Sequence, residues 1–369
     1  MSTANEVLQD EAIRRHIDLQ RYSNATVRKI IAVLNKADVE LSRRIATAID
    51  QGRDTATIEH LDAMLASVRA LNAEAYRQAR LALDADLKTF AAHESAQQLA
   101  VLMLAIPREV AVQISLAGTT ESQVYAAAMA RPFQGRLLRE WMADMEADRA
   151  RKIRDAIRIG ITNNDTTETI VRSIRGSRAQ NYADGLLERP RQDLETVVRT
   201  AINHTAAVAR EQTAAANADI LKGIVWVNTL DTRVCLLCAT HGGEEYAIGT
   251  HKPLGPKKLP WLGGPGLAHF GCRCVSAPVL KSWRELGLSG LPEGTRASMD
   301  GQVPASMTYA EWLAKQPMDR VEDVLGPIRA RLYRQGGLKL DGFVNDKGVL
   351  YTLDELRARD AAAFAKAGL

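Results

Sequence analysis

The chain has 369 residues, 46% hydrophobic and 25% charged, enough for two or three domains with at least one sizeable core. Its 48 basic and 44 acidic side chains leave a formal charge of +4, too small an excess for a protein that coats DNA, although a local basic face remains compatible with it. Aromatic residues make up 5% while Ala, Leu and Arg are abundant, so helices are favoured over sandwiches and barrels. The longest apolar run, residues 99–106, falls far short of the roughly 20 residues that span a membrane, and the polar start at residues 1–20 does not read as a signal peptide. The expected class is α+β, predominantly helical.

Apolar residues recur at helical spacing from Ile13 and Ile17 through Val27, Ile30 and Leu34 to Leu41, Ile45 and Ile49. Gly52 punctuates the run, with Asp54 or Thr55 placed to cap a second helix whose stripe carries Leu61, Leu65, Val68, Leu83, Leu87 and Phe90. Two long amphipathic helices joined by a tight turn predict an antiparallel hairpin, a packing surface without chemistry. Beyond Pro107, Thr120 with Gln123 has capping-box spacing for a short helix ending at Ala130, and Phe133 to Met145 opens the next. Charges of both signs interleave from Glu140 to Arg158, which predicts a solvated face. Asp165 with Glu168 has the spacing of another capping box, and Gly176 stops that helix.

Seven arginines and four acids lie between Arg172 and Arg210. Arg172, Arg175 and Arg178 are the candidates for phosphate contact, against the plainer reading of ordinary surface arginines. A helix from about Leu194 to Asn217 then leads into an apolar strand, Ile220 to Val227. A returning strand at residues 275–279 is expected to close at Pro278. The tail from about Thr295 reads as short helices opened by Thr308/Glu311, Asp319/Glu322 and Thr352/Glu355, the second ending at Gly336-Gly337 and the last near Gly368. The expected domains are a helical 1–160, an α+β core at 161–285 and a C-terminal extension at 286–369.

All four cysteines fall in two knots, Cys235-x-x-Cys238 and Cys272-x-Cys274, the second preceded by His269. Two thiolates at this spacing can grip one ion, and a second pair some thirty residues on would complete a tetrahedral site. The segment between, residues 251–266, is rich in Pro and Gly; it can form no regular helix and bury little, so a metal joining its ends would supply the constraint it lacks. Five donors are candidates for four positions: Cys235, Cys238, His269, Cys272 and Cys274, with His241 and His251 nearby. Either selection, four sulfurs or three sulfurs and a histidine, describes a closed structural site, with zinc the expected ion. The competing reading is four buried thiols, or disulfides, with His269 packed beside them. A catalytic zinc would need an open position and a base; Glu244 and Glu245 are near in sequence, but no motif places either there.

Trp226, Asp231, Arg233, Cys235-x-x-Cys238, the proline-rich loop, His269-x-x-Cys272-Arg273-Cys274 and Pro278 together resemble the phage head morphogenesis domain, the family of Mu F-like minor head proteins of tailed bacteriophages and prophages. Phe270 stands where that pattern has proline. Arg199, Asn203 and Arg210 fit the family's lead-in helix, and Arg296, Gly301, Tyr309, Trp312, Gln316, Gly326, Arg329 and Leu332 resemble its C-terminal continuation, so the resemblance covers about residues 196–369. It implies a minor virion component made in the host cytoplasm, with no catalytic residues and no membrane. Its partners would be the portal protein and the major capsid or scaffolding protein, with double-stranded DNA as a further one. A zinc-knuckle nucleic-acid-binding module and a zinc-dependent hydrolase or nuclease are the alternatives.

Overall fold

The computed structural model describes residues 4–52, 58–106, 111, 114–228, 230–232, 234–255, 257–281, 285–286, 295–304, 307–345 and 348–369. The fold is a predominantly helical α+β. Two compact units emerge, neither of them one continuous stretch of chain. A sheet unit gathers residues 1–19, 91–128 and 203–369, and a helical unit gathers 20–90 and 129–202.

Helix α1 (Ala4–Gly52) and helix α2 (Ile58–Ala105) are the two long helices expected from the apolar stripes. Tyr22 stacks on Phe90 at 4.8 Å and donates to the Asp86 carbonyl, so the early part of α1 lies against the late part of α2, as in an antiparallel hairpin. The capping positions Asp54 and Thr55 lie outside the described residues. Helices α3 (Glu121–Ala130), α4 (Leu138–Thr162), α5 (Thr167–Arg175) and α6 (Glu188–Ala216) follow. The box at Thr120/Gln123 forms: each residue's backbone N–H reaches the other's side-chain oxygen, at 2.9 and 3.3 Å. Phe133, by contrast, stays outside α4 in a small turn bridged to Arg136. The expected box at Asp165/Glu168 is displaced by one residue: Thr166 is the cap, its hydroxyl accepting from the Thr169 amide at 3.2 Å.

In the helical unit, Leu41, Ile45, Ile49, Met64, Leu65, Val68, Ile153, Ile157, Ile170, Ile174 and Leu187 form one apolar core. The charged run on α4 is not wholly solvated, which corrects the sequence expectation. Arg149 is 2% exposed and pairs with the buried Asp38, to which Arg191 also reaches at 3.4 Å. A carboxylate buried on α1 draws one arginine of the run inward, because an unpaired charge there would be prohibitively desolvated.

In the sheet unit, β1 (Leu221–Val227) is the centre of an antiparallel sheet of order β2-β1-β3, with β2 at Glu245–Tyr246 and β3 at Val275–Leu280. Both faces of β1 are covered beyond the exposed Lys222, which is why Ile224 to Val227 is a continuous apolar run. Val225 and Val227 join Ile13 of α1 and Val275, Ala277 and Val279; Ile224 and Trp226 face the second, larger core. Pro278 lies inside β3 opposite Ile224 instead of closing it. β3 is an edge strand, where a missing N–H costs no ladder bond.

Beyond β3, Met299 and Asp300 turn a hairpin of β4 (Thr295–Ser298) and β5 (Gly301–Pro304) that helical periodicity gave no sign of. Asp300 then accepts from the Trp312 indole at 3.1 Å and the Gln316 amide at 2.7 Å, and pairs with Arg320. The tail helices are α8 (Tyr309–Ala314), α9 (Met318–Leu325), α10 (Pro327–Arg334), α11 (Leu353–Arg359) and α12 (Ala361–Lys366). Thr308/Glu311 and Thr352/Glu355 form the expected boxes. Asp319/Glu322 does not: α9 begins after Pro317, and Gly326-Pro327 breaks the expected single helix in two. The last helix is likewise divided, at Asp360, which caps α12. No described helix is long and apolar enough to cross a membrane.

Candidate metal centre

Each knot is a local turn that aims its donors to one side. Cys235 is the N-cap of helix α7 (Leu236–His241), and its sulfur accepts from the Cys238 amide at 3.5 Å. One turn of helix thus presents both sulfurs together. In the second knot, the Cys272 amide donates to the His269 carbonyl at 3.2 Å, closing a β-turn with Gly271 at φ 73° in its third position. That position needs a left-handed residue, which glycine supplies without strain, while the second position of such a turn favours proline. Phe270 occupies the second position, so the departure from the proline pattern leaves the turn intact.

The two knots meet. His269 Nε2 lies 3.2 Å from Cys235 Sγ and 3.5 Å from Cys238 Sγ, and Cys238 Sγ lies 3.5 Å from Cys272 Sγ. The five donors form two overlapping groups, Cys235–Cys238–His269 and Cys238–Cys272–Cys274, whose ligand atoms lie within 4.8 Å of one another and could hold a metal ion. Cys238 belongs to both. All four cysteines are free thiols, so the disulfide alternative is not realised.

The geometry suits a tetrahedral ion. Two sulfurs bound to one zinc at about 2.3 Å stand about 3.7 Å apart, close to the 3.5 Å between Cys238 and Cys272. His269 Nδ1 lies 2.8 Å from the Phe270 carbonyl, which orients the ring and turns Nε2 to the sulfurs, the outer-sphere arrangement usual for a ligating imidazole. The Gly266 amide donates to Cys272 Sγ at 3.3 Å, a bond that favours a thiolate.

The electrostatics describe a shared set of protons. Hydrogen bonding to Cys238, and then to His269, pulls the Cys235 thiol down to about 4 against its partial burial. Cys235 and then Cys272 push the His269 imidazole up to about 11. Cys238 and Cys274 pull Cys272 strongly down, whereas Cys238 is pushed far up as the donor to Cys235, Cys272 and Cys274. Cys274 is drawn down by Cys238, but Cys272 and burial outweigh that and push it up.

Neither additional histidine is placed as a ligand. Both ring nitrogens of the buried His241 meet carbonyls, Leu237 at 2.8 Å and Pro260 at 3.1 Å, and the ring packs 4.7 Å from Trp226. His251 stacks on Trp261 at 4.4 Å and faces Glu211 at 3.6 Å. Glu244 is 1% exposed beneath the proline-rich loop. Burial pushes its carboxyl up, while Lys257 and the backbone amides of Lys258, Leu259 and Lys257 itself offset part of that. A β-carbon on Gly255 would stand 2.7 Å from the Glu244 carboxylate, so only glycine lets the loop close over it. Glu245 is spent on Lys222 at 2.7 Å.

The other signature residues support the knots. Arg273, between the two distal cysteines, pairs with Asp231 at 2.8 Å, and the Tyr309 hydroxyl donates to the Asp231 carbonyl at 3.3 Å. Trp226 is fully buried and shares a core with Cys238, Cys272 and Cys274. Arg233 lies outside the described residues. In the lead-in helix, Arg210 is buried against the Ser276 hydroxyl at 3.1 Å, Asn203 is buried, and Arg199 holds Glu195 and Asn24. Of the phosphate candidates, Arg175 stacks on Tyr182 at 4.7 Å, and Arg172 and Arg178 are exposed.

The roles of Glu244, Gly255 and Lys257 were not foreseen from sequence. A lone acid followed by a Gly/Pro loop carries no motif; the signal available was a carboxylate next to a segment too poor in apolar residues to pack by itself. No family model, curated protein or solved structure matches the chain.

Proposed function

We propose that the chain is a head-morphogenesis protein of a tailed phage or prophage, a minor capsid component that docks on the portal and capsid during procapsid assembly. The observation that supports this reading is the convergence of the signature residues. Trp226, Asp231, Cys235, Cys238, His269, Cys272, Arg273 and Cys274, spread over nearly fifty residues, form one contiguous support around the knots.

Zinc is the ion this donor set favours, because soft thiolates and one imidazole in tetrahedral array suit it best. Its role here is structural: it ties α7 to the far end of the proline-rich loop and contributes on the order of 10 kcal/mol to the order of a segment with little core of its own. The enclosure of Glu244 counts against a hydrolytic role, since a general base must reach water or substrate.

The test has two parts. Protein purified under reducing conditions is expected to carry about one zinc per chain, as a single four-ligand site requires. Co-expression with the portal protein of the same genome is expected to give a complex that co-sediments with portal rings. A metal-free protein with four reactive thiols would remove the zinc, and failure to associate with either portal or procapsid would remove the assembly role.

A second reading is favoured by one observation. The helical unit carries 25 basic against 20 acidic residues, whereas the sheet unit carries 23 against 24. If the helical unit grips duplex DNA, the affinity falls steeply as salt rises, because each neutralised phosphate releases condensed counterions. Absence of salt-sensitive binding at low ionic strength would dispose of this reading.

A further inference from the structure

Five donors, in two groups that share Cys238, compete for the four positions of a tetrahedral ion, and the geometry points to which one stands aside. We propose, on the reading that the knots hold zinc, that the ion is bound by Cys235, Cys238, His269 and Cys272, and that Cys274 is an outer thiol that positions the site without coordinating the metal.

The two groups share only Cys238; Cys235 and His269 complete one, Cys272 and Cys274 the other. The choice is between an imidazole and a fourth sulfur. His269 already makes the shortest of the donor contacts, 3.2 Å to Cys235 Sγ, and touches Cys238 Sγ at 3.5 Å. Its ring is preset: with Nδ1 facing the Phe270 carbonyl at 2.8 Å, Nε2 is the atom left to bind metal. It also shares a four-residue turn with Cys272, so the chain delivers the two together.

Cys272 has the features of a ligand as well. It stands 3.5 Å from Cys238 Sγ and accepts an amide hydrogen bond from Gly266, which a metal-bound thiolate retains. Cys274 is held differently. It is the residue immediately before β3, whose first residue, Val275, pairs with Val227 of the central strand, so its backbone is fixed by the sheet and not by the turn. Successive strand residues alternate faces, which puts Cys274 on the same side as Ser276, the register partner of Trp226. Its sulfur accordingly lies beside the Trp226 indole as well as beside Cys238 and Cys272. It is 2% exposed and shares the apolar core with Trp226 of the central strand. A thiol in that place supports the ligands, the usual task of an outer-sphere group.

X-ray absorption on the full-length, zinc-loaded wild-type protein decides the matter without any variant. The expected result is three sulfurs at about 2.3 Å and one nitrogen at about 2.0 Å. Four sulfurs would overturn the proposal while leaving the zinc centre standing, and absence of zinc would remove the centre itself. The two failures are thus distinguishable.

Variants then identify the sulfurs. Cys274→Ser is expected to keep about one zinc per chain and the same coordination, with metal affinity lowered roughly 10- to 100-fold, the range for loss of an outer-sphere partner. Cys272→Ser and His269→Ala are expected to lose affinity by a much larger factor. Loss of zinc from a folded Cys274→Ser protein equal to that from Cys272→Ser would overturn the assignment. So would retention of three sulfurs and one nitrogen at wild-type affinity in Cys272→Ser, since Cys274 would then be the ligand.

Discussion

His16 shows what one buried side chain does to the acid limit of stability. It sits on α1 at 4% exposure, with Arg273, Arg210, Cys272 and Asp231 as its charged neighbours. Burial first, and then the two arginines, lower its pKa from 6.5 to about 4, against the opposing pull of Cys272 and Asp231. Between those values the unfolded chain binds a proton that the folded chain does not, so stability is fully present above about 6.5 and falls as pH drops towards 4. A shift of this size corresponds to about 3 kcal/mol. His16→Gln is expected to flatten the melting temperature between pH 6.5 and 4 relative to wild type. An unchanged slope would show that another group sets the acid limit. None of this was legible in the sequence, because His16 lies on a helical stripe with nothing to mark that it meets Arg273 some 250 positions later. The cysteine knots were legible at the same scale, because local turns fix Cys235 with Cys238 and His269 with Cys272 within four residues each.

Helices were read well where period and caps agreed, as at Thr308/Glu311 and Thr352/Glu355. They were misread where two caps competed or a breaker was passed over: Thr166 displaced Asp165, and Gly326-Pro327 divided what looked like one helix. The β4–β5 hairpin escapes helical periodicity, although Asp300-Gly301 at its turn is a hairpin signal. Two predictions belong to elements. Cys235→Ser should release the loop at residues 251–266 and raise its susceptibility to limited proteolysis, whereas equal cleavage rates in variant and wild type would mean that the loop is held by other contacts. Between helices, Asp38→Ala leaves Arg149 buried without its partner and is expected to cost about 3–5 kcal/mol of stability in chemical denaturation. A loss below about 1 kcal/mol would mean that the pair behaves as an exposed one.

For the molecule as a whole, the staple and the excess charge are segregated. The cysteines all belong to the sheet unit, and the surplus of basic residues belongs to the helical unit. If the knots hold zinc, its removal by a chelator is therefore expected to lower the hydrogen-exchange protection of β1, β3 and α7. Protection of α4 amides around Ile153 and Ile157, which belong to a separate apolar core, should be retained. Uniform loss of protection in both units would contradict this division. Periodicity disclosed that most of the chain is helical, but not this partition, because it depends on contacts between segments far apart in sequence.

The same partition fixes a timetable for synthesis. Leu8 and Ile13 are buried against residues of the sheet unit that come after position 203, and the Asn5 side chain accepts a hydrogen bond from the Leu280 amide at 2.8 Å. At roughly 5–20 residues per second, a ribosome has already made the start of α1 for about 10–50 s before its strands exist. During that interval Leu8 and Ile13 lack the strand residues that complete their burial. The start of α1 thus stays incompletely buried until β3 emerges, and the nascent chain depends on keeping it soluble meanwhile.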